Sequence, residues 1–211
     1  MTKSSSTPRK RDGTLRASLI DAGIELLRDR GPDGLSLREC AAKAGVSHAA
    51  PGYHFKNLMG LSTAIAAKGF AVFAKAMENR LGNAGDDPKD RLAAICYGYL
   101  DFAQEHPDLF LFIFSGQKFG SDDPDYSTNA SHAYGILRAA CAPLIPPTAH
   151  PEEIEILVWS LVHGYAHLAM TRKLDNPNLE RAWPGFEPVI KHVLTLFEPA
   201  GDAHTGSKTA E

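Results

Sequence analysis

The chain has 211 residues, of which 44% are hydrophobic and 22% charged, a composition that suits one ordinary core or a small head joined to a larger body. No apolar run reads as approaching the roughly 20 residues of a membrane span, and the opening MTKSSSTPRKRDG has no apolar centre of the secretory-signal kind. Net charge is −3 and unevenly spread: residues 1–60 hold ten Lys/Arg against six Asp/Glu, the remainder twelve against nineteen. A basic head on an acidic body suits a head that meets a polyanion. Cys40, Cys96 and Cys141 are widely spaced, without C-x-x-C pairing, and are expected to be reduced, buried thiols of a cytoplasmic protein.

The expected fold class is all-α, with about nine helices. Leu15, Leu19, Ala22, Gly23, Leu26 and Leu27 fall on one face at 3.6-residue spacing, and Gly31-Pro32 ends that helix. Ser36-Leu37-Arg38-Glu39 is a capping box, in which Ser36 and Glu39 would reciprocally satisfy the first amides of a short second helix stopped by Gly45. Beyond a brief third element, an Ala-rich apolar segment runs from about Leu58 to Leu81, then a loop from Asn83 to Pro88. Pro88 to Glu105 reads as helix, broken by His106-Pro107, and a short aromatic helix covers Asp108 to Phe114. Gly120 to Pro124 is an acidic turn. Helix resumes from Tyr126 to Ala142, until Pro143, Pro146 and Pro147. Pro151-Glu152-Glu153 opens a helix to about Thr171, with acids at the N-terminus where the dipole favours them. A last helix spans Gly185 to Phe197. The tail GDAHTGSKTAE lacks core-forming residues and is expected to be disordered.

Three short helices within 55 residues, the second and third joined through Ala44-Gly45-Val46-Ser47, fit a helix-turn-helix. Gly45 would take the left-handed turn, Val46 would plug the crevice between helices, and Ser47 would cap the third helix. The turn alone also fits any helical hairpin. The longer stretch LLRDRGPDGLSLRECAAKAGVSHAAPGYHF resembles the DNA-binding domain of the TetR family of bacterial regulators, over about residues 14–61. In that family a Ser/Thr-capped helix is followed by A-G-V-S and an aromatic-x-His-Phe ending.

Where many members carry a small residue, Thr, Leu and Tyr, this chain has Ala49, Ala50, Pro51 and Gly52, with the ring displaced to Tyr53. Leu58 stands where many have a Lys that meets phosphate. With Ser47 as cap, Pro51 removes a helical amide, so the third helix is either distorted or starts about three residues late with Pro51 in its first turn. Gly52 would let backbone approach a phosphate. The resemblance implies that His48, Tyr53 and His54 face the DNA groove or its walls, and that Arg38, Ser47, Lys56 and Asn57 meet phosphate. Arg9, Lys10 and Arg11 read either as a minor-groove arm or as a solubilising tail.

The body is rich in aromatic residues, most of which any helical core would absorb. In TetR-like bodies the corresponding helices enclose an effector cavity, which implies Tyr97, Phe110, Phe114, Tyr134, Trp159 and His163 as effector-binding candidates. Trp159-Ser-Leu-Val-His163-Gly164 resembles the Trp-His-Gly signature of one TetR body subgroup, in which Gly164 would allow close helix packing. His163 and His167 have the i, i+4 spacing of metal ligands, yet Gly164 occupies the place of a zinc protease's general base and no third ligand is visible. There is no phosphate loop and no nucleophile elbow, so neither an enzyme nor a metal or other cofactor is expected.

The expected organisation is a disordered basic arm over 1–13, a helix-turn-helix domain over 14–60, an effector-binding and dimerisation domain over 61–200, and a disordered tail over 201–211. The implied function is a cytoplasmic, homodimeric repressor, released from palindromic operator DNA by a small apolar or aromatic effector, with no membrane partner. The alternative is a helical interaction dimer whose DNA-reading head has decayed.

Overall fold

A computed structural model describes residues 12–171 and 185–197. The basic arm Arg9-Lys10-Arg11, Trp183 and the C-terminal tail lie outside those residues. Among the described residues there are nine α-helices and no strand. They are α1 (Asp12–Arg30), α2 (Leu37–Ala44), α3 (Ala50–Phe55), α4 (Leu58–Leu81), α5 (Pro88–Glu105), α6 (Pro107–Ile113), α7 (Pro124–Cys141), α8 (Pro151–Met170) and α9 (Phe186–Thr195). The last two positions of the expected arm, Asp12 and Gly13, are thus already helical.

The head is α1–α3 packed on the start of α4. Leu19, Leu26 and Leu27 from α1, Cys40 from α2 and Phe55 from α3 are buried against Leu61 and Ile65 of α4. The capping box forms only half: the Glu39 amide donates to Ser36 Oγ at 3.1 Å, while the Glu39 carboxylate is taken by Arg30 at 3.0 Å. Gly45 closes α2 in the left-handed region, φ 67° and ψ 35°, as its type predicts.

Helix α4 is the axis of the molecule. Its N-terminal half belongs to the head core, and its C-terminal half packs against α5 and α7. Contrary to the sequence reading, this helix is long and apolar enough to cross a membrane by length and composition alone. Its apolar faces are instead occupied within the fold, where Leu61, Ile65, Phe73 and Met77 are all buried. The α4–α5 crossing is backbone-close, since a Cβ on Gly98 would stand 2.5 Å from Met77 Cα. The layers of the body are α4, α5, α7 and α8, with α6 wedged between body and head. Arg28 of α1 reaches Asp108 of α6 at 3.8 Å, and Arg16 reaches Asp125 of α7 at 3.7 Å.

Candidate nucleic-acid interface and body cavity

The third helix starts late. Its N-cap is Ala49, with no side-chain capping bond, so Ser47 is not the cap that the sequence suggested. Residues 47–50 instead form a turn in which the Ala50 amide donates to the Ser47 carbonyl at 3.0 Å. Pro51 then falls in the first helical turn, where an amide has no intrahelical acceptor, so the missing donor costs nothing. The first helical bond is from the Tyr53 amide to the Ala49 carbonyl, at 3.3 Å. The Pro51 ring is buried, as is Phe55 one turn on. Proline here sets a helix start and fills a hydrophobic slot.

The exit from α3 is tighter still. Lys56 adopts φ 64° and ψ −52°, and the Asn57 amide donates back to the Phe55 carbonyl at 2.7 Å. This is the uncommon, strained γ-turn, costing on the order of 1–3 kcal/mol for a residue with a side chain. Asn57 Oδ1 then caps α4, accepting from the Gly60 amide at 2.9 Å. The Asn57 amide oxygen is therefore engaged within the chain.

The expected DNA-facing residues lie along the outer surface of this unit. Arg38, Ser47, His48, Tyr53, Lys56 and Asn57 are exposed, and His54 is half-buried. Tyr53 is 79% exposed, with its ring set edge-on to His54 at 5.3 Å. Other head cations are paired: Arg30 with Glu39, and Lys43 with Glu25 and Asp29.

In the body, α4 to α8 line a partly open cavity of about 400 Å³. Phe114, Tyr134 and Trp159 line it, as expected. The other three candidates do not. Tyr97 lies on a different side of α5 from Ile95, Cys96 and Tyr99, because each helical residue turns about 100°; its ring packs on Phe186, at 5.6 Å, and under Arg80. Phe110 is buried behind the wall, stacked on His163 at 5.3 Å. His163 Nδ1 is hydrogen-bonded to the Tyr99 hydroxyl at 2.8 Å, which holds that nitrogen inside the protein.

The sequence reading missed the α4 side of the cavity, Phe70, Phe73 and Met77, and also Tyr99. The spacing i, i+3, i+7 of the α4 residues, which marks one helix face, was the available signal. No Lys, Arg, Asp or Glu is among the lining residues. Tyr134 donates its hydroxyl to the buried carboxylate of Glu155, which Arg138 approaches to 3.7 Å. Burial pushes the Tyr99 hydroxyl well above the ordinary phenol range, and the Trp159 indole opposes this only in part. Burial, followed by His167, holds His163 below the usual imidazole value. All three thiols are buried, and burial pushes Cys40 and Cys141 up to about 11 and Cys96 up to about 12. Among the described residues no three His, Cys, Asp or Glu side chains stand together as a metal site.

Two family models match side by side: bacterial regulatory proteins of the tetR family over residues 19–61, and the tetracyclin repressor-like C-terminal domain over residues 92–191. The chain belongs to the TetR family. Among solved structures, a protein of unknown function from Rhodococcus sp. RHA1 is 27% identical, with 91% of this chain and 97% of that one covered and a TM-score of 0.71. Two further structures share the fold. A TetR family transcription regulator from Marinobacter aquaeolei VT8 has 16% identity, coverage of 90% and 96%, and a TM-score of 0.63. The transcriptional regulator FadR from Bacillus subtilis, in complex with stearoyl-CoA, has 14% identity, coverage of 86% and 96%, and a TM-score of 0.64. No curated protein matches the chain. This TetR-family protein is a DNA-binding transcription regulator with a helix-turn-helix head.

Proposed function

We propose that this regulator is a homodimeric, cytoplasmic repressor whose two heads bind a palindromic operator and whose body releases them when a small, neutral, apolar or aromatic molecule enters the cavity. The observation that carries this reading is the cavity itself. It is walled by aromatic and aliphatic side chains, bears no charge, and stands at the far end of the helix that anchors the head. A ligand there releases DNA only by preferring the conformation whose heads fit the operator poorly. The Trp159–Gly164 segment supports placing the body in the Trp-His-Gly subgroup.

Dimerisation is supported by the outer face of α8 and α9. Ile156, Leu157, Leu168 and Leu196 are 57%, 40%, 42% and 63% exposed there, an apolar surface suited to a twofold four-helix contact. Arg38, Ser47, His48, Tyr53, His54, Lys56 and Asn57 are the proposed DNA contacts, with two heads set one helical turn apart on the duplex.

The test begins with selection of bound sites from random DNA, then titrates neutral apolar compounds against the protein–operator complex. In a Trp183→Phe background Trp159 reports on the cavity by fluorescence. The expected outcome is a compound that shifts Trp159 emission and lowers operator affinity together. If compounds shift Trp159 without affecting DNA, the body does not control the head. Failure to enrich any site would favour the interaction dimer, for which the six-residue α3 is the supporting observation.

A further inference from the structure

The cavity can receive a hydrogen bond but has almost no hydrogen to give. Every lining residue except Phe114 lies inside a helix beyond its first turn, where the amide is bonded one turn back, and the Phe114 amide donates to the Phe110 carbonyl at 3.2 Å. The lining side chains that carry a polar hydrogen are Tyr99, Tyr134, Trp159 and the Cys96 thiol. The thiol is a weak donor.

The other three hydrogens are spent inside the protein. Tyr134 donates to Glu155, and an ionised carboxylate only accepts. The Trp159 indole N–H, which only donates, turns to the Tyr99 oxygen. That leaves the Tyr99 hydrogen for His163 Nδ1, 2.8 Å away, and assigns the imidazole proton to Nε2. The two phenols differ in position. Tyr99 is 4% exposed, at the closed end, with its oxygen and its hydrogen both engaged; Tyr134 is 38% exposed, at the mouth. Its hydrogen is held by a buried carboxylate whose other partner, Arg138, stands off at 3.7 Å, so the ring does not turn that hydrogen towards a guest. Its oxygen keeps lone pairs, which the bond to the carboxylate makes better acceptors.

We infer that the effector is a neutral arene bearing an O–H or N–H group, which enters ring first and donates that hydrogen to the Tyr134–Glu155 pair at the mouth. The inference rests on the receptor reading above and names the chemical class of its effector. A guest of the same shape with an ether or carbonyl there sets oxygen against oxygen and forgoes the bond, a difference of about tenfold in affinity.

The experiment measures binding to the full-length protein by equilibrium dialysis, with naphthalene, 1-naphthol and 1-methoxynaphthalene, the last carrying methyl in place of the naphthol's hydrogen. The wild-type chain is expected to bind 1-naphthol more tightly than 1-methoxynaphthalene, although the ether has the larger apolar surface. In Tyr134→Phe combined with Glu155→Leu neither the phenol nor the carboxylate remains to receive the hydrogen, and exchange of a buried polar pair for apolar side chains is compatible with folding. With each affinity referred to that of naphthalene on the same protein, the preference for 1-naphthol should shrink about tenfold in this variant. Should it not fold, Tyr134→Leu with Glu155→Met takes its place. A wild-type chain that binds the ether as tightly as 1-naphthol, or more tightly, overturns the inference and leaves the receptor reading standing. A preference for 1-naphthol that survives loss of the pair overturns it too, by placing the acceptor elsewhere. A wild-type chain that takes up none of the three overturns the inference and counts against the receptor reading itself.

Discussion

Gly60→Ala isolates the corner that aims the recognition helix. A Cβ at residue 60 would stand 2.1 Å from the Phe55 carbonyl oxygen and 3.1 Å from its carbon. An unstrained carbon–oxygen contact lies near ~3.3 Å, so the two backbone segments would have to part by about 1 Å. Neither is free to move. Phe55 is 5% exposed and its carbonyl closes the γ-turn, while the Gly60 amide is held by Asn57. The expected cost is at the upper end for overpacking, about 3 kcal/mol, a factor of about 150 in the folded-to-unfolded ratio. Because α3 hangs from this corner, operator affinity should also fall, by about tenfold or more for a displacement near 1 Å. For stability, Gly52→Ala is the control, since its Cβ would meet nothing within 4 Å and a helical alanine should gain about 0.5–1 kcal/mol. Urea unfolding followed by helical circular dichroism reads the first quantity, and fluorescence anisotropy on the selected operator reads the second. Gly60→Ala with wild-type stability and wild-type operator affinity would refute the account of this corner.

Two other outcomes are expected. Tyr53→Ala removes a ring that is 79% exposed, so unfolding should be unchanged while operator affinity drops by about 1–3 kcal/mol; an unchanged affinity would exclude the ring from the DNA contact. His163 is held below the usual imidazole value of 6.5, so the fold prefers it neutral. The stability this supplies is complete above pH 6.5 and is lost as pH falls towards its folded-state value, because the unfolded chain takes up the proton first. The unfolding midpoint should decline between pH 7.5 and 5, and less steeply in His163→Phe; parallel profiles in the two proteins would assign the decline to other groups.

Local chemistry was legible in the sequence wherever one residue type has one structural meaning. Gly45 at a left-handed turn, Pro88 and Pro151 at helix starts, and His106-Pro107 between α5 and α6 all stand where residue type places them. The Ser36 cap formed, but its reciprocal half did not, since Arg30 nine residues back competes for the Glu39 carboxylate. That competition depends on how α1 crosses α2, which no local pattern encodes. Ser47 illustrates the same limit: its type suits a cap, but burial of the Pro51 ring moved the helix start past it. In the body, aromatic type marked candidates without marking their face. Phe114 and Trp159 reached the cavity, whereas Tyr97, two positions before Tyr99, turned away from it.

The 24 residues of α4 run without a break from the Asn57 cap, in the head, to Leu81, passing the cavity at Phe70, Phe73 and Met77. At ~1.5 Å per residue this is a rod of roughly 36 Å. Residue 60, the natural place to splice a foreign head onto this sensor, is inside its first turn, where any side chain would collide with the Phe55 carbonyl. A hybrid regulator joined there would carry another protein's corner and lose the aim of its own reading helix. The serviceable seam is farther along, past Ile65, whose side chain still meets Gly23 of α1, and before Phe70, where the cavity begins. Exchange of heads among such regulators should therefore carry the first two to three turns of this helix with the donor.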